Sequence, residues 1–295
     1  MTTQWMWTAE QLRSTPSSFD GITLEKERFD RNKGCSFIMS VGISLKLPQL
    51  TMSTAAVFLH RFYMRYSLKQ VHYYDIGATA LLLATKVEET SRKLRDIVIA
   101  CARIAQKNRD LVMDEQSKEF WRWRDTMLYN EELLLEALCF DLTIQHPYTP
   151  LLQYCKQFGP SSKEDNPQGK NLARSAWAFV NDSVRTMLCV MYPPATIAAA
   201  ALWFASKHHE IPLSDRGGQP WWGFIGVDLH DLSDATSILA DLYDQLPQNP
   251  GVHAYHVSGT EAPRKEEDAP APQTSNEAPP KPAPVNGNEK EEGEL

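Results

Sequence analysis

Glycine is scarce in the sequence, and the short motifs that commonly mark an enzyme are missing. Only 14 of the 295 residues are glycine. No GxxxxGK(S/T) or GxGxxG stretch is present to hold a phosphate, and no GxSxG turn is present to expose a serine nucleophile. The sequence therefore predicts a non-catalytic protein that needs no cofactor.

Paired cysteines and long apolar runs are missing as well. The sequence has five cysteines, and no two of them form a CxxC pair. They predict free thiols rather than a zinc site or a disulfide framework. No run of about 18 apolar residues is present to cross a membrane, and the N-terminal segment lacks the charged start and apolar block of a secretory signal. We expect no metal site and no membrane span, and a protein of the cytosol or nucleus.

The sequence also lacks an excess of positive charge. The net charge is −7, of which residues 258–295 contribute −5 from nine acidic and four basic residues. The remaining residues carry only −2, far from the basic footprint of a protein that binds nucleic acid over a broad surface. We therefore expect no direct contact with nucleic acid.

Residues 248–295 are predicted to form a disordered, acidic, proline-rich C-terminal tail. From Ser258 onward the chain has seven prolines and no aromatic residue. Such a segment has too little apolar surface to offset the entropy cost of ordering. Its composition favours a solubilising tail over a docking peptide.

The rest of the chain is predicted to be all-α. Apolar residues recur at helical spacing in successive segments, which end at polar or proline-bearing breaks such as Leu47-Pro48. Thr51 or Ser53 is expected to cap the second helix. Residues 78–84 are apolar on every side, which predicts a helix that is buried all round.

Two short stretches recur at a single offset in the chain. ALLLATK at residues 80–86 is followed 121 residues later by ALWFASK at 201–207, and AAVFL at 55–59 by AWAFV at 176–180. Two matches at one offset predict a duplicated helical unit. They indicate two all-helical domains of ordinary size.

Several motifs resemble those of the cyclins. LLLATKVEET, the following RKLRDIV and a long helix ending in LEALCFDL resemble the cyclin box. RFDRNKGCSFI, HRFYM, FDLTIQHPYTPLLQY and AWAFVNDSVRT resemble the transcriptional cyclin T and cyclin K group. The resemblance covers residues 24–246, and it implies two tandem five-helix cyclin boxes at residues 24–144 and 145–247 after an N-terminal extension of residues 1–23.

The resemblance implies a regulatory function. Cyclins bind a cyclin-dependent kinase through the first box and move a regulatory helix of the kinase into its active position, so that the catalytic Lys–Glu pair of the kinase forms. The transcriptional group further implies a transcriptional cyclin-dependent kinase as the partner. It also implies the C-terminal repeats of RNA polymerase II as the substrate of the complex during elongation, and a nuclear location.

Six residues match the positions that the family presents to the kinase: Lys86, Glu131, Leu83, Val87, Leu135 and Phe140. The resemblance implies that the first two form a charged pair and that the four apolar residues contact the kinase around it. The residues alone favour an ordinary surface ion pair over a kinase contact. The apolar residues fit a core as well as an interface.

Two other classes of protein remain open from the residues. A double-box general transcription factor resembling TFIIB would need a basic face and a zinc ribbon, and a helical scaffold without a kinase would need neither Lys86 nor Glu131. His60 is predicted to be a buried structural histidine rather than a catalytic one. Trp221 and Trp222 are predicted to pack rather than to form a ligand cage.

Overall fold

A computed structural model describes residues 5–160 and 166–244. Within these ranges the regular structure is helical, apart from an isolated bridge between Arg216 and Gln219. This confirms the all-α prediction. The same ranges contain no helix that is both long and apolar enough to cross a membrane. The predicted tail at residues 248–295 lies outside the described residues.

Five long helices form the first half of the structure. They are α1 Leu24–Ser44, α2 Gln49–Phe62, α3 Tyr73–Val87, α4 Leu94–Ala105 and α5 Lys118–Ala137. Helix α3 lies at the centre, because it packs against all four of the others. Every residue from Ile76 to Thr85 is buried, as the all-round apolar sequence predicts. One hydrophobic core joins these helices.

The second half contains four longer helices and two single helical turns. They are α6 Tyr148–Phe158, α7 Pro167–Ser183, the turn Leu188–Met191, α8 Pro194–His208, the turn Trp221–Phe224 and α9 Leu229–Asp244. Helix α8 is central and packs against α6, α7 and α9 around a second core. The helix between α8 and α9 is thus a single turn, which follows Pro220 and stops before Gly226 at a φ of 70°.

The two halves repeat at the offset that the sequence predicts. Helices α3 and α8 are both 15 residues long and begin at Tyr73 and Pro194, which are 121 residues apart. Helices α2 and α7 end at Phe62 and Ser183, again 121 residues apart. The equal spacing supports a duplicated helical unit, while the boundary at residues 144 and 145 stays a prediction.

The prediction that Thr51 or Ser53 caps α2 is wrong. The helix begins earlier, at Gln49 behind Pro48, and no side chain caps it. Both hydroxyl residues are fully buried inside the helix. Ser53 Oγ lies 2.8 Å from the hydroxyl of Tyr148 and links the two halves of the structure. These hydroxyls serve tertiary contacts, which local capping patterns cannot reveal.

The N-terminal extension is part of the packed structure from Trp5 onward. The Trp5 side chain is 2% exposed, and its indole Nε1 donates a hydrogen bond to Asp141 Oδ2 at 2.8 Å. The backbone N–H of Trp7 donates to the carbonyl oxygen of Val190 at 2.8 Å. Leu12 packs with methionines from both halves in a small third core. The extension therefore holds the two halves together.

A fully buried ion pair lies near the start of α1. Arg31 Nε donates to Glu27 Oε1 at 2.9 Å, and neither side chain has any exposed surface. Thr15 Oγ1 donates to the other carboxylate oxygen of Glu27. Arg31 also donates to the backbone oxygens of His60 and Tyr63, at 2.9 and 2.7 Å. The pair is well hydrogen-bonded, as a buried charge requires.

His60 is a buried structural histidine, as predicted. Its Nε2 lies 3.0 Å from the carbonyl oxygen of Val184, across the boundary between the two halves. A carbonyl oxygen can only accept, so Nε2 carries a proton. Burial, reinforced by the positive charge of Arg31, lowers the pKa of the imidazole from 6.5 to about 3.

We expect acid to destabilise the protein through His60. The folded-state pKa of about 3 lies below the ordinary value of 6.5, so the unfolded state binds more protons between these pH values. Stability from this group therefore falls as the pH falls below 6.5, by about 1.4 kcal/mol per pH unit. The expected loss at pH 5 is about 2 kcal/mol.

Urea unfolding at pH 7 and pH 5 tests this expectation on the wild type and on His60→Gln. The variant should lose about 2 kcal/mol less than the wild type over this interval. Burial also lowers the pKa of His146, to about 4, but His146 titrates in both proteins and cancels in the comparison. An equal loss in the two proteins would contradict the assignment.

Candidate functional site

The structure brings the two predicted charged residues together. Lys86 lies in the last turn of α3, where the helix dipole favours a cation, and Glu131 lies on the neighbouring α5. Lys86 Nζ donates to Glu131 Oε1 at 2.6 Å. The Lys86 side chain is 51% exposed and the Glu131 side chain 17%. The two charges are therefore paired and remain accessible to a partner.

This pair contributes little to the stability of the fold. An ion pair with one half-exposed member stabilises a protein by about 0–1 kcal/mol. The ammonium group of Lys86 has two further N–H donors, and the carboxylate of Glu131 has a second oxygen. These unused groups can bind backbone or side-chain groups of another protein. The geometry suits recognition better than it suits folding.

The predicted apolar residues divide between the core and the surface. Val87 and Leu135 are half-buried and pack on the edge of the first core. Leu83 is only 4% exposed and lies inside that core, because it faces inward one turn before Lys86. It can offer almost no surface to a partner, so we assign it to the core and not to the contact surface.

Phe140 stands out at the end of α5. Its side chain is 69% exposed, and its backbone N–H donates to the carbonyl oxygen of Leu135 at 3.0 Å. Cys139 and Phe140 both have left-handed backbones, with φ of 50° and 57°. That conformation is unfavourable for a bulky residue and typically costs about 1–3 kcal/mol. An exposed aromatic residue held in this way is a feature of a binding surface.

One exposed residue on the same face was missed by the sequence analysis. Leu128 is exposed on α5, three residues before Glu131, so it shares a helical face with Glu131 and Leu135. Counting back from Glu131 at helical spacing would have found it. We call the surface formed by Lys86, Val87, Leu128, Glu131, Leu135 and Phe140 the α3–α5 face.

The α3–α5 face combines apolar side chains with an acidic border. Glu132 and Glu136 are exposed on α5, and Glu89 is exposed just after α3. Among the residues that define the α3–α5 face, Lys86 is the only cation, and these three glutamates lie close to it in sequence or on the same helix as Glu131. A partner with apolar side chains and a mostly basic border would be complementary to this face.

Trp221, Trp222 and His209 have structural roles. Trp221 is buried in the second core, and its ring meets that of Trp222 edge to face at 5.8 Å, so both pack as predicted. His209 Nε2 lies 2.7 Å from Ser175 Oγ at the end of α8. These packing and hydrogen-bonding contacts account for the positions of the three residues, and no ligand is needed to explain them.

One group among the described residues has the geometry of metal ligands. It comprises Asp228, His230 and Asp231 on the surface. Asp228 Oδ1 accepts a hydrogen bond from the backbone N–H of His230 at 2.7 Å, which caps the first turn of α9. The capping hydrogen bond explains why Asp228 lies close to His230 and Asp231, without a role in metal binding.

Comparison with known proteins identifies the family. Residues 2–143 match the family model of the cyclin N-terminal domain. The chain is 48% identical over 258 residues to cyclin pch1 of Schizosaccharomyces pombe, covering 87% of this chain and 73% of that protein. The chain is a cyclin. Cyclins are regulatory subunits of protein kinases and are not catalytic themselves, so this cyclin is a regulatory subunit.

Further relatives are cyclins of the T and K types. The cyclin is 35% identical over 259 residues to human cyclin K, covering 85% of this chain and 43% of that protein. It is 34% identical over 245 residues to cyclin-T1-5 of Arabidopsis thaliana, covering 82% of this chain and 41% of that protein. It thus spans less than half the length of these two relatives. The similarity confirms the transcription-type group.

Solved structures share the fold of this cyclin. A chain of the yeast RNA polymerase II CTD kinase CTDK-1 complex matches with a TM-score of 0.65 and 15% identity, covering 90% of this chain and 86% of that chain. A chain of the yeast TFIIK complex (Kin28/Ccl1/Tfb3) matches with a TM-score of 0.57 and 22% identity, covering 80% and 96%. At these identities the likeness concerns the fold.

Proposed function

We propose that this cyclin binds and activates a cyclin-dependent kinase of the transcriptional class. The complex then phosphorylates the C-terminal repeats of RNA polymerase II during elongation, in the nucleus. The cyclin supplies binding energy that positions the kinase, and the kinase carries the chemistry. The first box, residues 24–144, is the kinase-binding part in this proposal.

The observation that carries the proposal is the α3–α5 face. Lys86 Nζ and Glu131 Oε1 are 2.6 Å apart, and each side chain has further hydrogen-bonding groups that a partner can bind. Phe140 is held exposed just after the end of α5 at a cost in backbone strain, although burial would be the usual fate of a phenylalanine. The ion pair adds at most about 1 kcal/mol to the stability of the cyclin alone, and the exposed Phe140 ring adds little burial. A bound kinase would explain both features.

Two comparisons support the choice of kinase and substrate. The relatives include cyclin K and several T-type cyclins. One of the solved complexes with this fold is named as an RNA polymerase II CTD kinase, and another is TFIIK. A regulatory subunit of such a kinase would act where the polymerase transcribes, which is the reason for the nuclear location.

Exchanging the two charges is expected to weaken kinase binding at least tenfold. In Lys86→Glu/Glu131→Lys the two side chains can still pair, so the fold should be kept within about 1 kcal/mol. The charges that a kinase would meet are in the wrong places, however. A tenfold loss corresponds to about 1.4 kcal/mol. Binding to candidate transcriptional kinases and activation of their phosphorylation of a polymerase-repeat peptide are the measurements.

The exposed pair Arg95–Glu115, with 3.7 Å between nitrogen and oxygen, offers a matched control. The exchange Arg95→Glu/Glu115→Arg should leave kinase binding unchanged. Equal binding by both exchanged variants would contradict the α3–α5 face as the docking site but not the kinase partnership. Failure of the wild type to bind any such kinase would contradict the proposed function itself.

A further inference from the structure

A groove of about 870 Å³ lies between the two halves, outside the α3–α5 face. One wall is the first part of α1, and the other is formed by the turn after α7 and the last part of α9. Much of the lining is apolar and comes from both halves: Leu24, Phe29, Met187, Met191, Ile238 and Leu242. Phe29 is an exposed aromatic residue on the wall, so the groove offers apolar surface to a ligand.

Two arginines line this groove. Arg28 comes from α1, and Arg185 from the turn after α7. Among residues 5–160 and 166–244, neither guanidinium has a carboxylate within 4.0 Å. Arg185 Nε donates to Asn32 Oδ1 at 3.1 Å, which holds its side chain at the groove. Lys26, by contrast, is paired with Asp30 at 2.8 Å.

Two guanidinium groups that line one groove suit a doubly charged anion such as a phosphate. Each guanidinium presents a planar set of N–H donors that fits a phosphate in bidentate fashion. A phosphorylated side chain carries close to two negative charges and three acceptor oxygens, enough for both arginines. Arg185 is half-buried, so water weakens its interactions less than at an open surface.

The acidic residues of the groove limit the ligand to one compact anion. Glu25 and Asp241 also line it, and they would repel the continuous negative charge of a nucleic acid or an acidic tract. The apolar lining can receive the side chains that flank a phosphorylated residue. The groove thus fits a phosphopeptide with apolar neighbours better than a polyanion.

We propose that this groove binds one phosphorylated residue of the polymerase repeats together with its apolar neighbours. The identity of the ligand rests on the proposed function. A complex that holds a repeat it has already phosphorylated keeps the adjacent repeats at high effective concentration near the kinase. The groove would in this way favour successive phosphorylation of one polymerase tail.

Binding of a two-repeat polymerase peptide to residues 1–295 of the cyclin, without kinase, tests the groove. The peptide with one phosphoserine should bind at least tenfold more tightly than the same peptide without phosphate. Arg28→Glu/Arg185→Glu should abolish this difference, and Arg174→Glu/Arg216→Glu, which reverses two exposed arginines elsewhere, should keep it. Arg28→Glu alone should weaken phosphopeptide binding severalfold. Arg28 is exposed and has no carboxylate within 4.0 Å among residues 5–160 and 166–244, so this variant is expected to fold.

Three results would overturn the groove proposal. They are equal affinity for the two peptides, phosphopeptide binding that Arg28→Glu leaves unchanged, and binding of single-stranded RNA through the same arginines that is tighter than binding of the phosphopeptide. The kinase assay of the wild type on unphosphorylated peptide is separate from this binding assay. A cyclin that activates a kinase but does not distinguish the peptides would refute the groove alone. One that distinguishes them but activates no kinase would refute the proposed function.

Discussion

Replacing Glu27 by glutamine is expected to destabilise the protein by about 3–5 kcal/mol, the usual cost of breaking a buried ion pair from one side. Arg31 would keep its charge in a site with no exposed surface, where Glu27 supplies the only opposite charge within 4.0 Å among the described residues. The two backbone oxygens that accept from Arg31 satisfy its N–H groups but do not neutralise the charge.

Urea unfolding at pH 7 measures this loss, with Glu132→Gln as the control. Glu132 is exposed on α5, and the same change there should shift the free energy of unfolding by less than about 0.5 kcal/mol. In Glu27→Met/Arg31→Met the unpaired charge is gone, so the double variant should be more stable than Glu27→Gln. A cost for Glu27→Gln no larger than that of the control would contradict the buried pair.

Replacing Trp5 by alanine is expected to cost about 3 kcal/mol of stability. Removal of a buried tryptophan side chain typically costs about 3–5 kcal/mol. Trp5 also donates to Asp141 and covers the Arg61 guanidinium, whose centre lies 4.5 Å from its ring. Arg61 Nε and Nη1 make no hydrogen bond with the described residues. In the variant, water can reach and solvate this guanidinium, which offsets part of the lost stability. We therefore place the effect at the lower end of the range.

Phe19 provides the control for Trp5, because it is an aromatic residue of the same N-terminal segment with a side chain 82% exposed. Phe19→Ala should change stability by less than about 0.5 kcal/mol. Thermal unfolding of both variants beside the wild type is sufficient. A Trp5→Ala protein as stable as Phe19→Ala would mean that the extension does not hold the two halves together.

Most of the helical architecture could be predicted from the sequence because it depends on local patterns. The all-round apolar residues of α3 predict a central helix, and the repeated residues predict the equal spacing of α3 and α8. The start of α2 could not be predicted in the same way. Thr51 and Ser53 resemble caps, but their hydroxyls are committed to contacts with Thr90 and Tyr148, which are distant in the chain.

The candidate site was predicted only in part, for a similar reason. Sequence similarity indicated Lys86 and Glu131, and the structure brings them within hydrogen-bonding distance. It could not tell Leu83 from Val87, because leucine and valine suit a core and an interface equally. Only the packed structure shows that Leu83 lies in the first core and that Val87 is half-buried at its edge. The exposure of Phe140 depends on two left-handed residues that no helical pattern indicates.

The contacts across the middle of the molecule make the duplicated halves one cooperative unit. Ser53 meets Tyr148, His60 meets the backbone of Val184, and Asn32 meets Arg185. Either half alone would expose buried polar groups that have lost their partners, at a cost that a domain of marginal stability cannot absorb. Unfolding should then follow a single transition. Docking of a kinase at one half should therefore also raise the free energy of unfolding of the other half.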